Sequence, residues 1–531
     1  MSEHNPNYVD YEYAHRPWEH ETSFNDVLAE QLRRAPYFIA SIVLHFVIIL
    51  VAAGIMVLAG GQDSQPPQLV AAPPPPPPEV EEEEEPEEEI IEEIVEEPVI
   101  QESELEEVVE QETLEEDGDP DMNADAAFDS DAWNNDVGLG GGAGGKSGGR
   151  GGRGGKRGGT PQEAAVLDAL KWLKDHQTPE GFWDADEFML YDVYPDQPPS
   201  TGPGNAVNDV GLTGLALLAF LGNNHTLSKG KYKDVVSKGI NWLKDVQDAD
   251  SGLYGEEVGN PTLYNHSIAT MAMGEAYFFS NRSPLLKRTM RDSVKVIINS
   301  QNPYGAWRYS LEPNGDNDTS ITGWMIFALK TAEDGKLPIN KQAYEGAQAW
   351  FDTMQDKNTG RVGYAWGEGG GGPGSPPSRP AHYIDKFPAT KSEALTAVAL
   401  LCQIFMTDTK EVKKWSDHEN YEMMKKAADL IISKPPKWDE NDGSIDMYYW
   451  YYGTFAMNQW GGKHWTNWKK AIEKALLPNQ RKDTPDKNDN FYGSWDPVGP
   501  WGEEGGRVYS TAICALMLEV YYRYAQVLGA R

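Results

Sequence analysis

The stretch that decides the fold is Trp172-Leu173-Lys174-Asp175-His176-Gln177-Thr178-Pro179-Glu180-Gly181-Phe182-Trp183. An apolar pair closes an amphipathic run, a Gln follows, and a Gly-aromatic turn comes next. The pattern returns as Trp242-Leu243 with Gln247 and Gly252-Leu253-Tyr254, as Gln301 with Gly305-Ala306-Trp307, as Trp350-Phe351 with Gln355 and Gly363-Tyr364, and as Gln480 with Gly493-Ser494-Trp495. A degenerate copy lies around 432–443, where Lys434 stands near the Gln position. The units recur at roughly 60 residues, a period that marks a repeat architecture.

Each unit holds two helical stretches. The one before the Gln is amphipathic, as in Ala165, Leu167, Leu170, Trp172 and Leu173 with charges opposite. The one after the turn is almost wholly apolar or small: 210–221, 267–279, 320–329, 394–405, 448–457 and 508–521. A helix apolar on every face must be buried on every face. Six half-exposed helices alternating with six buried ones predict an all-α, single (α/α)6 toroid over 160–531. The repeats resemble the QW motifs of the terpenoid cyclase and protein prenyltransferase superfamily, which implies this same barrel.

Upstream of the toroid the composition changes. The 531 residues carry a net charge of −37, and residues 79–136 alone hold 28 acidic side chains and no basic one. Acidity therefore belongs mainly to this stretch, and with no basic face elsewhere a nucleic-acid partner is excluded. Residues 37–59 are an uncharged run of 23, long enough to span a bilayer as a helix. Arg33 and Arg34 precede it and no basic residue follows before Lys146, so the N-terminal segment 1–36 is expected in the cytoplasm. The toroid is then expected in the periplasm, held to the inner membrane by a single pass. Residues 60–159 read as a disordered linker, Pro/Glu-rich and then Gly/Arg-rich, beginning with the stiff run 73–78.

Within the apolar run, Ser41 and His45 share one helix face. Together with Arg33-Arg34-Ala35-Pro36 and the Pro/Glu-rich sequence, they resemble the N-terminus of the TonB family. That resemblance implies membrane coupling through Ser41 and His45 to an ExbB/ExbD-like inner-membrane complex driven by protons. The Lys-Pro repeats and the small C-terminal domain of that family are missing.

In such a toroid the inner-helix N-termini converge on one mouth. The candidate mouth residues are Asp209, His266, Asp316, Asp318, Thr319, Glu393, Asp446, Tyr448 and Arg507. Asp316-Asn317-Asp318-Thr319 resembles the Asp-x-Asp-Asp-Thr motif of squalene-hopene cyclases, one carboxylate short, which implies Asp318 as an acid with Asp316 beside it. Two cysteines, Cys402 and Cys514, sit inside apolar helices and suit neither a zinc cluster nor a disulfide framework. The pattern Gly140-xxxx-Gly145-Lys146-Ser147 lies in a tract of glycine with no strand before it, so it is no phosphate loop. No cofactor and no metal is expected. The reading that follows is a membrane-anchored toroid binding an apolar or polymeric ligand, or a partner, and coupled to ExbB/ExbD. The alternative is a class II terpene cyclase using Asp318. Aromatic side chains near the mouth, from Tyr448 to Tyr452, suit a terpene or a glycan.

Overall fold

The computed structural model describes residues 160–303, 305–367, 371–408, 411–482, 487–523 and 527–528. The apolar run at 37–59, with Ser41 and His45, and the linker of 60–159 lie outside them. Among the described residues no helix is long and apolar enough to cross a membrane.

The repeats fold as pairs. The outer members are α1 (Pro161–Asp175), α3 (Lys233–Asp245), α5 (Pro284–Ser300), α7 (Lys341–Met354), α9 (Tyr421–Ile432) and α11 (Gly462–Leu476). The inner members are α2 (Asp209–Gly222), α4 (Pro261–Phe279), α6 (Thr319–Asp334), α8 (Ala394–Met406), α10 (Met447–Trp460) and α12 (Gly502–Leu518), followed by a short α13 (Val520–Arg523). Each inner helix packs on the next, and α12 returns to α2, so the inner six form a closed ring. The outer helices pack against that ring and bury one stripe each, such as Val236, Ile240 and Leu243 of α3. This is an α/α toroid, and among the described residues it contains no strand, only isolated bridges.

In four repeats the Gln makes the joint, while Gln355 holds its own turn at Gly360 O. Gln177 Nε2 donates to Gly181 O of its own turn (2.8 Å) and to Val235 O of the next outer helix (3.0 Å). Gln247 does the same with Gly252 O and Thr289 O, and Gln301 with Gly305 O and Ala343 O. Gln480 closes the circle: its Nε2 reaches Gly493 O and Ala165 O of α1, both at 2.8 Å. The turn glycine permits the close approach. Gly181 has φ +112°, and a Cβ there would lie 2.6 Å from Lys238 O of α3.

The turn tryptophan fills the space between the rings. Trp183, Trp307 and Trp495 are fully buried, and each indole N–H donates to a carbonyl of its own outer helix, Leu173, Ile297 or Leu476. Burial of such a ring contributes about 3 kcal/mol, and its polar edge is satisfied.

Two boundaries differ from the sequence reading. Helix α4 begins six residues earlier than its apolar run, because Pro261 at the first helical position starts it. The run 508–521 is divided at Glu519, and the helix that holds it begins earlier, at Gly502, with a kink. Gly506 at φ 62°, ψ −164° separates the turn 502–505 from the helix proper, and Glu519 ends it.

Truncating Gln480 leaves two buried carbonyls without a donor, each costing about 1 kcal/mol or more. Gln480→Ala should lower unfolding free energy in urea by about 2–3 kcal/mol, more than the half-buried Gln247→Ala. A loss below about 0.5 kcal/mol would show that ring closure does not depend on this joint.

Candidate active site at the tyrosine-lined mouth

Inner-helix N-termini carry a common register. The backbone N–H of the turn residue is received by one inner-helix side chain: Trp183 by Thr213 Oγ1, Trp307 by Thr322, Val362 by Thr396 and Trp495 by Thr511. His266 is the fifth member of this set. Its Nδ1 accepts from Tyr254 N (3.1 Å), which places the proton on Nε2, where it meets Ser293 O at 3.0 Å. It is fully buried, and desolvation pushes its pKa down to about 4. The structure therefore places it in the wall rather than the mouth.

Most of the other candidates hold the rim together. Glu393 takes Arg361 in a two-bond fork and also Lys434, the lysine that stands near the Gln position in the fifth repeat. Asp446 caps α10 through Tyr449 N and pairs with Arg379, pinning the segment 371–380. Arg507 bonds Asp496, Ser494 Oγ and Thr201 O. Thr319 Oγ1 donates to Gly363 O and accepts from the Trp350 indole. Asp209 accepts from Ala185 N, and its carboxylate oxygens lie with those of Asp184 and Asp186 within 4.8 Å of one another. Burial, then those two neighbouring charges, raise its pKa to about 7.

Asp318 and Tyr448 meet in one place. Asp318 is the N-cap of α6, with Oδ1 accepting from Ile321 N (2.8 Å), and it is fully buried. Its Oδ2 is buried too and completes no full hydrogen bond, with the Tyr309 hydroxyl beside it. Desolvation outweighs the backbone N–H groups and the Arg308 charge, so its pKa is raised to about 7. Around it, beside the expected Tyr448 and Asp316, stand Tyr264, Tyr309, Tyr364, Ser320 and Arg308, which are not among the candidates named from the sequence. The hydroxyls of Tyr309 and Tyr364 bond each other. Tyr264 donates to Ser320 Oγ at 2.9 Å, and Ser320 shares a 2.7 Å hydroxyl bond with Tyr448. Arg308 lies 5.4 Å and 6.0 Å from the Tyr309 and Tyr364 ring centres. Asp316 is exposed and 3.9 Å from Arg308. Two residues beyond Tyr364, Trp366 is 63% exposed. The signal that was available is the aromatic following each turn: Tyr309 two residues after Trp307, and Tyr364 directly after Gly363.

Below the mouth, the ring is filled. Trp324 of α6 stacks on Tyr451 of α10 at 5.7 Å and meets Tyr452 edge-on at 5.5 Å, bridging two inner helices that flank α8. At the far end Arg523, fully buried, bonds Leu218 O and pairs with Glu275 and Glu519.

No family model and no curated protein matches the chain. Among solved structures, it is similar to an α-amylase from Clostridium perfringens, at 11% identity over 68% of this chain and 98% of that one, TM-score 0.41. It is also similar to the GH76A α-1,6-mannanase from Salegentibacter sp. HEL1_6, at 11% identity over 68% and 99%, TM-score 0.44. A third is an unsaturated glucuronyl hydrolase specific for heparin, at 12% identity over 70% and 99%, TM-score 0.43.

Both functional expectations are corrected here. A terpene cyclase needs its acid to face an apolar chamber, whereas Asp318 faces tyrosine hydroxyls and Arg308, with aromatic side chains packed below. The three solved structures named above are an α-amylase, an α-1,6-mannanase and an unsaturated glucuronyl hydrolase, and none of the three is a squalene cyclase, a prenyltransferase or a TonB-type protein.

Raising a carboxyl pKa in the folded state gives stability that is complete below the unfolded value of 3.8 and lost as pH rises through about 7. Asparagine keeps the α6 cap and removes the titration. The stability of wild type minus that of Asp318→Asn should therefore fall by roughly 3 kcal/mol between pH 4 and pH 8, measured by thermal melts. Parallel profiles would show an ordinary carboxyl.

Proposed function

We propose that the toroid is a carbohydrate-active enzyme that binds a glycan at this mouth and protonates a glycosidic oxygen from Asp318. The observation that supports it is a buried carboxyl, protonated near neutrality, beneath a set of tyrosine and serine hydroxyls. Tyrosine rings stack on sugar faces while their hydroxyls exchange hydrogen bonds with sugar hydroxyls. A carboxylic acid that keeps its proton at pH 6–7 is what cleavage of a glycosidic bond requires of its general acid.

In this reading the Tyr309–Tyr364 hydroxyl pair covers Asp318 in the free protein. An entering sugar displaces that contact and replaces it with its own hydroxyls, which brings the leaving-group oxygen to Asp318. Asp316, exposed on the outer side of Arg308, is the carboxylate available to activate water. Trp366 and Tyr448 extend the aromatic surface on either side of the acid.

The test uses the full chain, a panel of neutral and acidic polysaccharides, and reducing-end release. Asp318→Asn should lower turnover at least 100-fold while binding changes less than about threefold. Wild-type turnover should fall as pH rises through about 7, because the acid must carry its proton. Tyr448→Ala should weaken binding instead. Unchanged turnover in Asp318→Asn, or no binding of any glycan, overturns the assignment.

A further inference from the structure

We infer that Arg308 is a specificity-determining residue that receives the carboxylate of an acidic, uronate-type sugar. The inference rests on the glycan reading above and names the class of sugar.

Arg308 follows Trp307, whose backbone N–H and indole N–H are both bonded into the wall, so its main chain is held in place. Its guanidinium sits against the faces of Tyr309 and Tyr364, and its side chain is 25% exposed. Its Nε is buried and has no acceptor. The three other mouth arginines differ: Arg361 is forked onto Glu393, Arg379 pairs with Asp446, and Arg507 bonds Asp496, Ser494 and Thr201. Each has carboxylate acceptors that are already seated. Arg308 has only Asp316 at 3.9 Å, and that side chain is 64% exposed, so solvent screens the pair.

The groups facing Arg308 are Asp316, Asp318, Tyr309 and Tyr364. Tyrosine hydroxyls are neutral here, since burial raises both. Asp318 carries its proton below about pH 7. The mouth thus presents one cation with a weak, exposed counter-charge and one buried donor awaiting an acceptor. A planar carboxylate matches a guanidinium edge with two parallel bonds. Attached to a sugar ring, it would leave that ring among the tyrosines and its hydroxyls near Ser320 and Tyr448.

The experiment is titration calorimetry on the full chain at pH 6 with an oligogalacturonate and the same oligomer after carboxyl reduction. Wild type should bind the acidic oligomer at least tenfold more tightly. Arg308→Gln should abolish that preference with affinity for the reduced oligomer unchanged within about twofold, and Arg308→Lys, which keeps charge but not the fork, should restore part of it. Thermal melts of both variants establish that they fold. Equal wild-type affinities, or a preference that survives in a folded Arg308→Gln, overturn the role of Arg308 and leave the glycan reading standing. Binding of neither oligomer, nor of their sulfated counterpart, overturns both. Tight binding of the sulfated oligomer alone replaces carboxylate by sulfate and overturns the uronate assignment.

Discussion

A single side-chain amide, bonded to two carbonyls at once, carries the architecture. In the first repeat Gln177 Nε2 holds its own turn at Gly181 and the next outer helix at Val235. One donor group thereby sets both the end of one helix pair and the position of the next. Repeated, the same bond fixes a rotation per repeat, and a ring results when the last copy finds the first. Gln480 on Ala165 is that meeting, across 315 residues. The joint is short, buried and made to backbone, so it is indifferent to which side chains the neighbouring helix carries.

Fixing the rotation also fixes where the inner helices point. Their N-termini gather at one end, and with them a ring of positions in the same register: Asp209, Thr262, Asp318, Ser392, Asp446 and Arg507. A helix start asks for an oxygen that accepts backbone N–H groups, and Asp318 and Asp446 supply it to Ile321 and Tyr449. The mouth is consequently built from residues whose first duty is structural. Function appears where that duty leaves something over. At Asp446 the second oxygen is taken by Arg379, and at Asp318 it is not.

Much of this is legible in the sequence. The Gln and the Gly-aromatic turn name both ends of the joint, and a helix apolar on all sides has only one place to go. The site was legible in part. Asp318 stands out because Asp316-Asn317-Asp318-Thr319 resembles a cyclase motif and precedes an apolar helix, but its partners Tyr264, Tyr309, Tyr364 and Tyr448 come from two inner-helix starts and two turns, and no spacing links them. His266 was misplaced for a local reason: the apolar run begins at Ser267, whereas the helix begins at Pro261, so the imidazole lies in the wall beside Tyr254. Tyr448 to Tyr452 looked like one aromatic surface. A helix turns about 100° per residue, so Tyr448 reaches the mouth while Tyr449 bonds Ile431 O and Tyr451 stacks on Trp324.

The fifth repeat shows how far the joint can be altered before the ring changes. Lys434 has no amide to divide between two carbonyls, and it instead sends its ammonium to Thr390 O and Glu393. Glu393 is almost fully buried and already holds Arg361, so two cations meet one carboxylate at the rim. Tyr449 supplies what the Gln would have done for the helix end, donating toward both Ile431 O and Lys434 O. A neutral bond between repeats has been exchanged for a charged cluster, and the cluster consumes the carboxylate that stands closest to the start of α8. The same exchange accounts for the asymmetry of the mouth. Where repeats are joined by Gln, as between Gln301 and Ala343, the rim charges are not needed for the joint, and at the third repeat Arg308 keeps a buried Nε and Asp318 a buried Oδ2 without a full hydrogen bond.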